Sequence, residues 1–422
     1  MKNLIVLIVF FSFSYLLSGP GEMLWKYETG DKVRSSACVT GTTVLFGSWD
    51  NYLYALNTTN GVRKWKYQTG HDIYSSPFVA DGVVYIGGDD FYIYAINVAN
   101  GALKWRHETY LWVDSSPCVA DGVLYVGSYD NNLYAVNVND GSLKWKYQTE
   151  YFIYSSPCVD NGVVYVGGWD DYLYAINAPD GSLKWRYKTN EDIYSSPCVS
   201  NGVVFVGSND FNVYALNTSD GSLKWKYLTD SYIFSSPCIV DGVLYVGCLD
   251  NGVYALNENN GTLKWRIYTS GPVYTSPCLV DGVLYVGSND NYLYALDIVD
   301  GSVRWSYKTG GIIRASPCVS EGAVFVGSHD CYFYAVETYG YKGFSNKETA
   351  FKLPSKSFTV SPNPFTDRLS ISSLSDASVY SITGQLIIKL GKGSHEIDTG
   401  SWREGVYIVS SGENTRRIIK IK

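Results

Sequence analysis

Residues 141–180 read GSLKWKYQTEYFIYSSPCVDNGVVYVGGWDDYLYAINAPD. Four runs rich in Tyr, Val, Ile and Leu, each closed by Gly, Asn, Asp or Pro, read as strands of about 4 to 7 residues. They are too short for helices, and no apolar pattern of 3.6-residue period interrupts them. The stretch is one copy of a repeat. Its Trp145 belongs to the series Trp25, Trp65, Trp105, Trp145, Trp185, Trp225, Trp265 and Trp305, spaced 40 residues apart without insertion or deletion. A period near 40 whose unit holds four short strands is the sequence form of a β-propeller blade. Eight units predict an all-β, eight-bladed β-propeller with four-stranded blades.

The turns support this. Asn161-Gly162, like Asp81-Gly82, Asp121-Gly122, Asn201-Gly202, Asp241-Gly242 and Asp281-Gly282, is the dipeptide that tolerates positive φ at both central positions of a tight hairpin. A second turn, at Asn137 to Gly141 and Asn177 to Gly181, leads into the Trp strand. Both lie at one end of a blade. The other two loops, between the Trp strand and Ser-Ser-Pro and after Val-Gly-Ser, therefore share the opposite face. The array begins with a lone Trp strand (23–27) and ends with a lone strand at 332–336. Joined, they complete an eighth blade, so the N-terminal strand is expected to close the ring non-covalently as its outermost strand and to remove two unpaired edges. Each Trp is expected to be a blade-docking indole, buried between neighbours and contributing on the order of 2 to 3 kcal/mol.

Residues 1–21 open with MKNLIVLIVFFSFSYLLSG, in which Lys2 precedes an apolar run and small residues follow. This reads as a secretory signal, its run being shorter than the ~20 residues a membrane span needs. No second spanning candidate follows, so the mature chain is expected to lack an integral membrane segment. The chain carries a formal net charge of −7. Residues 354–422 hold nine basic and six acidic side chains, which leaves 24 basic against 34 acidic in the rest. No basic phosphate-binding footprint exists, and nucleic acid is excluded as a partner. Seven of nine cysteines (Cys38, Cys118, Cys158, Cys198, Cys238, Cys278, Cys318) occupy one repeat position, which Phe78 fills in the second unit. Equivalent strands of different blades are expected to sit beyond disulfide reach, so these read as small buried apolar residues.

The unit GSLKWKYxT, SSPCVxDGVVYVGSxD, LYALNxxDG is similar to the repeats of the pyrroloquinoline-quinone (PQQ)-type eight-bladed propellers. That group holds quinoprotein alcohol dehydrogenases and an outer-membrane assembly scaffold propeller. The likeness covers residues 21–337. The tail resembles the C-terminal sorting domain of type IX secretion cargo, a small β-sandwich. It rests on Ser361-Pro362-Asn363-Pro364-Phe365, then Val379-Tyr380-Ser381-Ile382-Thr383-Gly384-Gln385, Gly405-Val406-Tyr407-Ile408-Val409 and the basic end Arg416-Arg417-Ile418-Ile419-Lys420-Ile421-Lys422. The resemblance implies export, recognition of the tail by the outer-membrane translocon, its removal, and release or anchoring at the cell surface. The expected organisation is leader 1–21, propeller 22–337, linker 338–357 and sorting domain 358–422.

A quinone-dependent enzyme of that group needs a calcium ion held by carboxylate and amide oxygens, an Asp base, adjacent half-cystines and long inter-blade insertions. No two cysteines adjoin, every blade has one length, and no blade shows a carboxylate cluster in sequence. No catalytic residue, cofactor or metal site is assigned. The recurrent Asp50, Asp90, Asp130, Asp170, Asp210, Asp250, Asp290 and Asp330 read as turn residues accepting backbone hydrogen bonds. The Ser-Ser-Pro serines read as backbone partners, since the four histidines supply no recurrent base beside them. What varies is the loop face opposite the hairpins, crowded with Trp49, Phe91, Trp112, Tyr151, Phe152, Trp169, Phe211 and Tyr232. These are the ligand-binding candidates, since exposed rings among Asp and Asn suit sugar stacking or peptide anchoring. The plainer alternative is that they pack together and seal the mouth. The sequence thus points to a non-catalytic binding module or scaffold for a protein or glycan. A PQQ-dependent dehydrogenase and a purely structural or adhesive surface protein are the alternatives.

Overall fold

The computed structural model describes residues 19–338 and, beyond them, the strands between Thr359 and Lys420. The leader read at 1–21 and the linker read at 338–357 lie almost wholly outside the described residues. Two compact units divide near residue 343.

In the first unit, 32 strands form eight antiparallel four-stranded sheets. Blade 4 stands for all. From the axis outward it runs Cys158–Asp160, Val163–Gly167, Tyr172–Asn177 and Leu183–Lys188, with Cys158 opposite Tyr165, Tyr165 opposite Ala175 and Ala175 opposite Trp185. Its two middle strands are buried between sheets, and the outer strand alternates so that Trp185 faces inward. The core therefore lies between blades: Tyr165, Leu173 and Trp185 pack on Val204, Val206 and Leu216 of blade 5. The hairpin carries positive φ at Asn161 (47°) and Gly162 (72°), the geometry its sequence predicts.

The ring closes as expected. Met23–Glu28 pairs with Tyr332–Glu337, with Lys26 opposite Tyr334, as the outer strand of blade 8. The innermost strands touch their neighbours all round, including Cys38–Thr40 with Cys318–Ser320. These strands are three residues long, shorter than the sequence suggests. Pro157 has no N–H to give, the Ser155 hydroxyl accepts from Gly167 N at 3.2 Å, and Ser156 N donates to Ser196 Oγ of the next blade at 2.9 Å. That last bond repeats in every blade and forms a closed girdle.

Seven indoles donate to the next blade's outer turn, as Trp145 Nε1 does to the Ala178 carbonyl at 2.9 Å. A glycine at positive φ lies over each ring; a Cβ on Gly181 would stand 2.7 Å from Trp145. Trp25, Trp105, Trp185 and Trp225 are buried. Trp65, Trp145, Trp265 and Trp305 are half-buried, a correction to eight fully buried indoles. The Trp305 N–H, at the seam, lacks a partner among the described residues.

All nine cysteines are free thiols. The seven repeat cysteines are largely but not fully buried, where the sequence suggests full burial; only Cys248, in a loop, is buried outright. Their surroundings still push the thiols up, Cys158 to about 11, chiefly by desolvation.

The described residues of the second unit are all strands. Thr359–Ser361, Arg368–Ser373 and Gly393–Asp398 form one antiparallel sheet, and Leu386–Leu390, Ala377–Ser381, Gly405–Ser411 and Asn414–Lys420 form another. Among the described residues no helix is long and apolar enough to cross a membrane.

Candidate ligand-binding site

Each blade presents two loops at the face opposite the hairpins. The second ends in the recurrent Asp, which acts structurally. In blade 1 the Asp50 carboxylate accepts from Tyr52 N at 3.2 Å, Gly30 N at 2.7 Å and the Tyr54 hydroxyl at 2.6 Å. The first loop ends with the residue before the Ser-Ser or equivalent pair. Around the ring these are Arg34, Tyr74, Asp114, Tyr154, Tyr194, Phe234, Tyr274 and Arg314. The charge of Arg34, on blade 1, reaches Tyr154 on blade 4, so these side chains converge on the ring axis. Sequence reading missed this inner circle, whose members look like strand residues.

Six of the eight candidate rings belong to one continuous arc. Trp112 lies 5.5 Å from Tyr129, which stacks on Phe152 at 5.0 Å; Phe152 stacks on Tyr151 at 4.2 Å and meets Trp169 at 5.8 Å. Trp169 contacts Tyr194 at 4.5 Å, Tyr194 stacks on Phe234 at 4.3 Å, and Phe234 leads to Tyr232 and Phe211. The inner rings are packed as the plainer alternative expects. The outer ones stand largely in solvent: Trp112 is 47% exposed, Tyr151 48% and Tyr232 46%. Trp49 stands apart, against Tyr74 at 4.7 Å and His329 at 6.0 Å. Phe91 is exposed at a turn and joins no part of the arc. Phe91 and Phe211 both hold φ of 73°, where most other blades place Asn or Asp. A bulky side chain in the left-handed region carries strain, and such strain gathers at functional places.

Charge is distributed unevenly. Arg34 and Arg314 become neighbours because blades 1 and 8 adjoin. The Arg34 guanidinium lies 5.1 Å from the Tyr74 ring and donates to the Tyr74 hydroxyl at 3.3 Å, and that of Arg314 lies 4.1 Å over Tyr274. Burial and the Arg34 charge lower the Arg314 pKa. His329 is pushed down to about 4 by burial and then by Arg34, Arg314 and Lys32, so it is neutral at pH 7.

Toward blades 2 and 3 the sign reverses. Asp89 and Asp114 face one another, and burial, with their mutual proximity, raises the Asp89 carboxyl far above its ordinary range. Burial and their proximity therefore favour a proton shared by the pair. His71, Asp72 and Asp89 bring their ligand atoms within 4.8 Å of one another. This corrects the expectation that no carboxylate cluster exists: residues from separate loops make one. The three could hold a cation if the shared proton left. For the quinone implied by the resemblance the fit is incomplete. Carboxylates and arginines are present, but the adjacent half-cystines that the resemblance calls for are not.

Residues 16–152 and 233–338 match the family described as outer membrane protein assembly factor BamB. Residues 103–283 match the beta-propeller of beta-alanine-activating enzyme, and residues 359–421 match the secretion system C-terminal sorting domain. No curated protein matches the chain. Among solved structures, BamB from Moraxella catarrhalis is 16% identical with a TM-score of 0.66, covering 75% of this chain and 99% of its own. The computationally designed Ika8 protein is 12% identical with a TM-score of 0.68, covering 75% and 100%. A europium-containing methanol dehydrogenase is 14% identical with a TM-score of 0.65, covering 73% and 85%. At such identities the likeness is one of fold. The sorting domain marks a protein secreted or held at the cell surface through translocon-associated export. The propeller family match spans more than half the sequence, and the chain belongs to the PQQ-like, BamB-type β-propeller family with a type IX sorting domain at its C-terminus.

Proposed function

We propose that this protein is a non-catalytic binding module that takes a protein or glycan ligand on its aromatic loop face. The supporting observation is the arc from Trp112 to Phe211, whose inner rings are packed and whose outer rings Trp112, Tyr151 and Tyr232 stand in solvent. A packed base holds the exposed rings at little entropic cost, which is how rigid aromatic anchors gain affinity. Variable loops on a rigid scaffold are where recognition resides. We also propose the boundaries 1–21, 22–337, 338–357 and 358–422, the tail serving export. The test is a glycan array and a pull-down with the full chain, repeated with Trp112→Ala and Tyr151→Ala. Loss of binding at unchanged melting temperature supports the reading, and unchanged binding by both variants refutes this face.

A second reading, a quinone-dependent dehydrogenase, draws on the Asp72, Asp89 and Asp114 carboxylates, of which Asp114 feels the charge of Arg34. Spectroscopic titration with the quinone and calcium separates the two. A stoichiometric complex that reduces a dye with an alcohol or sugar would overturn the first.

A further inference from the structure

The mouth of the ring has a corner that the aromatic arc does not account for. Arg34 and Arg314 sit side by side, half-buried, and neither meets a carboxylate within ion-pair distance among the described residues. Among the described residues their hydrogen bonds go to neutral groups, Tyr74 Oη at 3.3 Å and Asn289 Oδ1 at 3.4 Å. Beside them the Trp49 indole N–H and His329 Nε2 are buried without a partner among the described residues, and Lys32 Nζ lies 5.0 Å from the Trp49 ring. The corner is rich in donors and in positive charge. Like charges held together with partial loss of water are unfavourable unless an anion joins them. Arginine forks, held by stacking on Tyr74 and Tyr274, suit a planar oxyanion better than a point charge.

What lies next to the corner narrows the ligand. From Arg314 the wall continues as Tyr274, Phe234 and Tyr194, with ring separations of 5.3 and 4.3 Å. Tyr274 meets Phe234 edge-on and Tyr194 stacks on Phe234, so the wall is a partly exposed aromatic surface of edges and faces rather than a row of open faces. Such a surface suits the C–H groups of successive sugars, whereas a peptide backbone would need donor and acceptor edges that it does not offer. In the other direction, beyond Tyr74, stand Asp72, Asp89 and Asp114, and the chain as a whole is acidic. A densely charged polyanion would be repelled there.

We propose that the Arg34–Arg314 corner binds the single carboxylate of a sparsely acidic glycan, with neighbouring neutral sugars running along Tyr274, Phe234 and Tyr194. The proposal rests on the binding-module reading and names its ligand class. The test uses the full chain against oligosaccharides in matched pairs, neutral and carrying one uronate, with free-carboxylate and amidated peptides as a third arm. Affinity is measured by calorimetry. The uronate member should bind about 10-fold or more tighter than its neutral twin. That margin should vanish in Arg34→Gln and Arg314→Gln and shrink at about 0.5 M salt, while the neutral sugar binds the variants as before. Arg314→Lys keeps the charge without the fork and should recover only part of the margin; melting curves confirm that each variant folds. Equal binding of the pair, a margin that survives in both Gln variants, or preference for peptide carboxylates over sugars overturns the proposal. If neutral sugars bind in a Trp112-dependent way without an acid preference, the binding-module reading stands and this inference alone falls. If neither sugars nor peptides bind, both fall.

Discussion

Ser316 donates its backbone N–H to the Ser36 hydroxyl at 2.9 Å although 280 residues separate them. It is the last link of the serine girdle, made at the inner rim of the seam that Met23–Glu28 closes at the outer rim. Ser36→Ala should leave that N–H unpaired and cost about 1 to 3 kcal/mol. Trp25→Ala acts at the outer rim, where a buried indole packs on Phe325 and donates to the Thr58 carbonyl at 2.9 Å, and should cost about 3 to 5 kcal/mol. Trp305→Ala should cost less, because that ring is half-exposed and its N–H has no partner among the described residues. Denaturant unfolding of the three variants checks the order.

Gly61 and Gly82 have nearly the same backbone, φ of 68° and 74°, in different surroundings. A Cβ at Gly61 would stand 2.6 Å from the Trp25 ring, and one at Gly82 meets nothing within 4 Å. Gly82→Ala should therefore show only the left-handed penalty, roughly 1 to 2 kcal/mol. Gly61→Ala should add the displacement of the Trp25 indole. Equal melting temperatures for the two would contradict the packing role of the turn glycine.

Blade number and turn geometry were legible because local chemistry repeats them, with Trp in the outer strand and Asp after the second strand in all eight units and Asn-Gly or Asp-Gly in six of the hairpins. Ring closure was legible from the lone strands at the two ends of the array. The inner circle was not. Arg34, Asp114 and Arg314 each occur once or twice at a position otherwise aromatic, and they meet only after ring closure brings residues 280 apart side by side. Asp89 and Asp114 likewise belong to different loops, so their pairing left no mark in local sequence. The aromatic loop residues could be found as a face, but which rings pack and which stand in water depends on contacts between blades. That is why Trp169 joins the packed base while Trp112 projects.

The Asp89 and Asp114 pair sets a pH dependence of unusual sign. Asp89 keeps its proton in the fold at pH values where an unfolded carboxyl, near pH 4, has lost it. Between pH 4 and the raised folded value the native state binds more protons, so stability falls as pH rises through that window. Asp89→Asn removes the proton uptake and can donate to Asp114. It should raise the melting temperature at pH 7.5 and give no gain below pH 4. A gain of equal size at both pH values would show that the carboxyls do not share a proton.

His329 acts in the opposite direction. Its unfolded value is 6.5 and its folded value about 4, so below pH 6.5 the unfolded chain takes up a proton that the fold refuses. Stability should fall as pH drops from 6.5 through 4, and His329→Gln should flatten that limb. NMR titration of the imidazole reads the folded value directly; a midpoint near 6.5 would contradict the cationic corner formed by Arg34, Arg314 and Lys32.

Trp112 and Trp169 separate recognition from packing. Trp112 is 47% exposed and meets one ring, Tyr129. Trp112→Ala should shift stability by no more than about 0.5 kcal/mol while weakening ligand binding several-fold. Trp169 is half-buried and touches Tyr129, Phe152, Tyr154 and Tyr194. Its loss should lower both stability and affinity, because the rings that support the exposed ones would shift. If the arc only sealed the mouth, Trp169→Ala would destabilise and Trp112→Ala would change nothing. Paired melting and binding curves for the two variants therefore distinguish an arc that binds from one that merely packs.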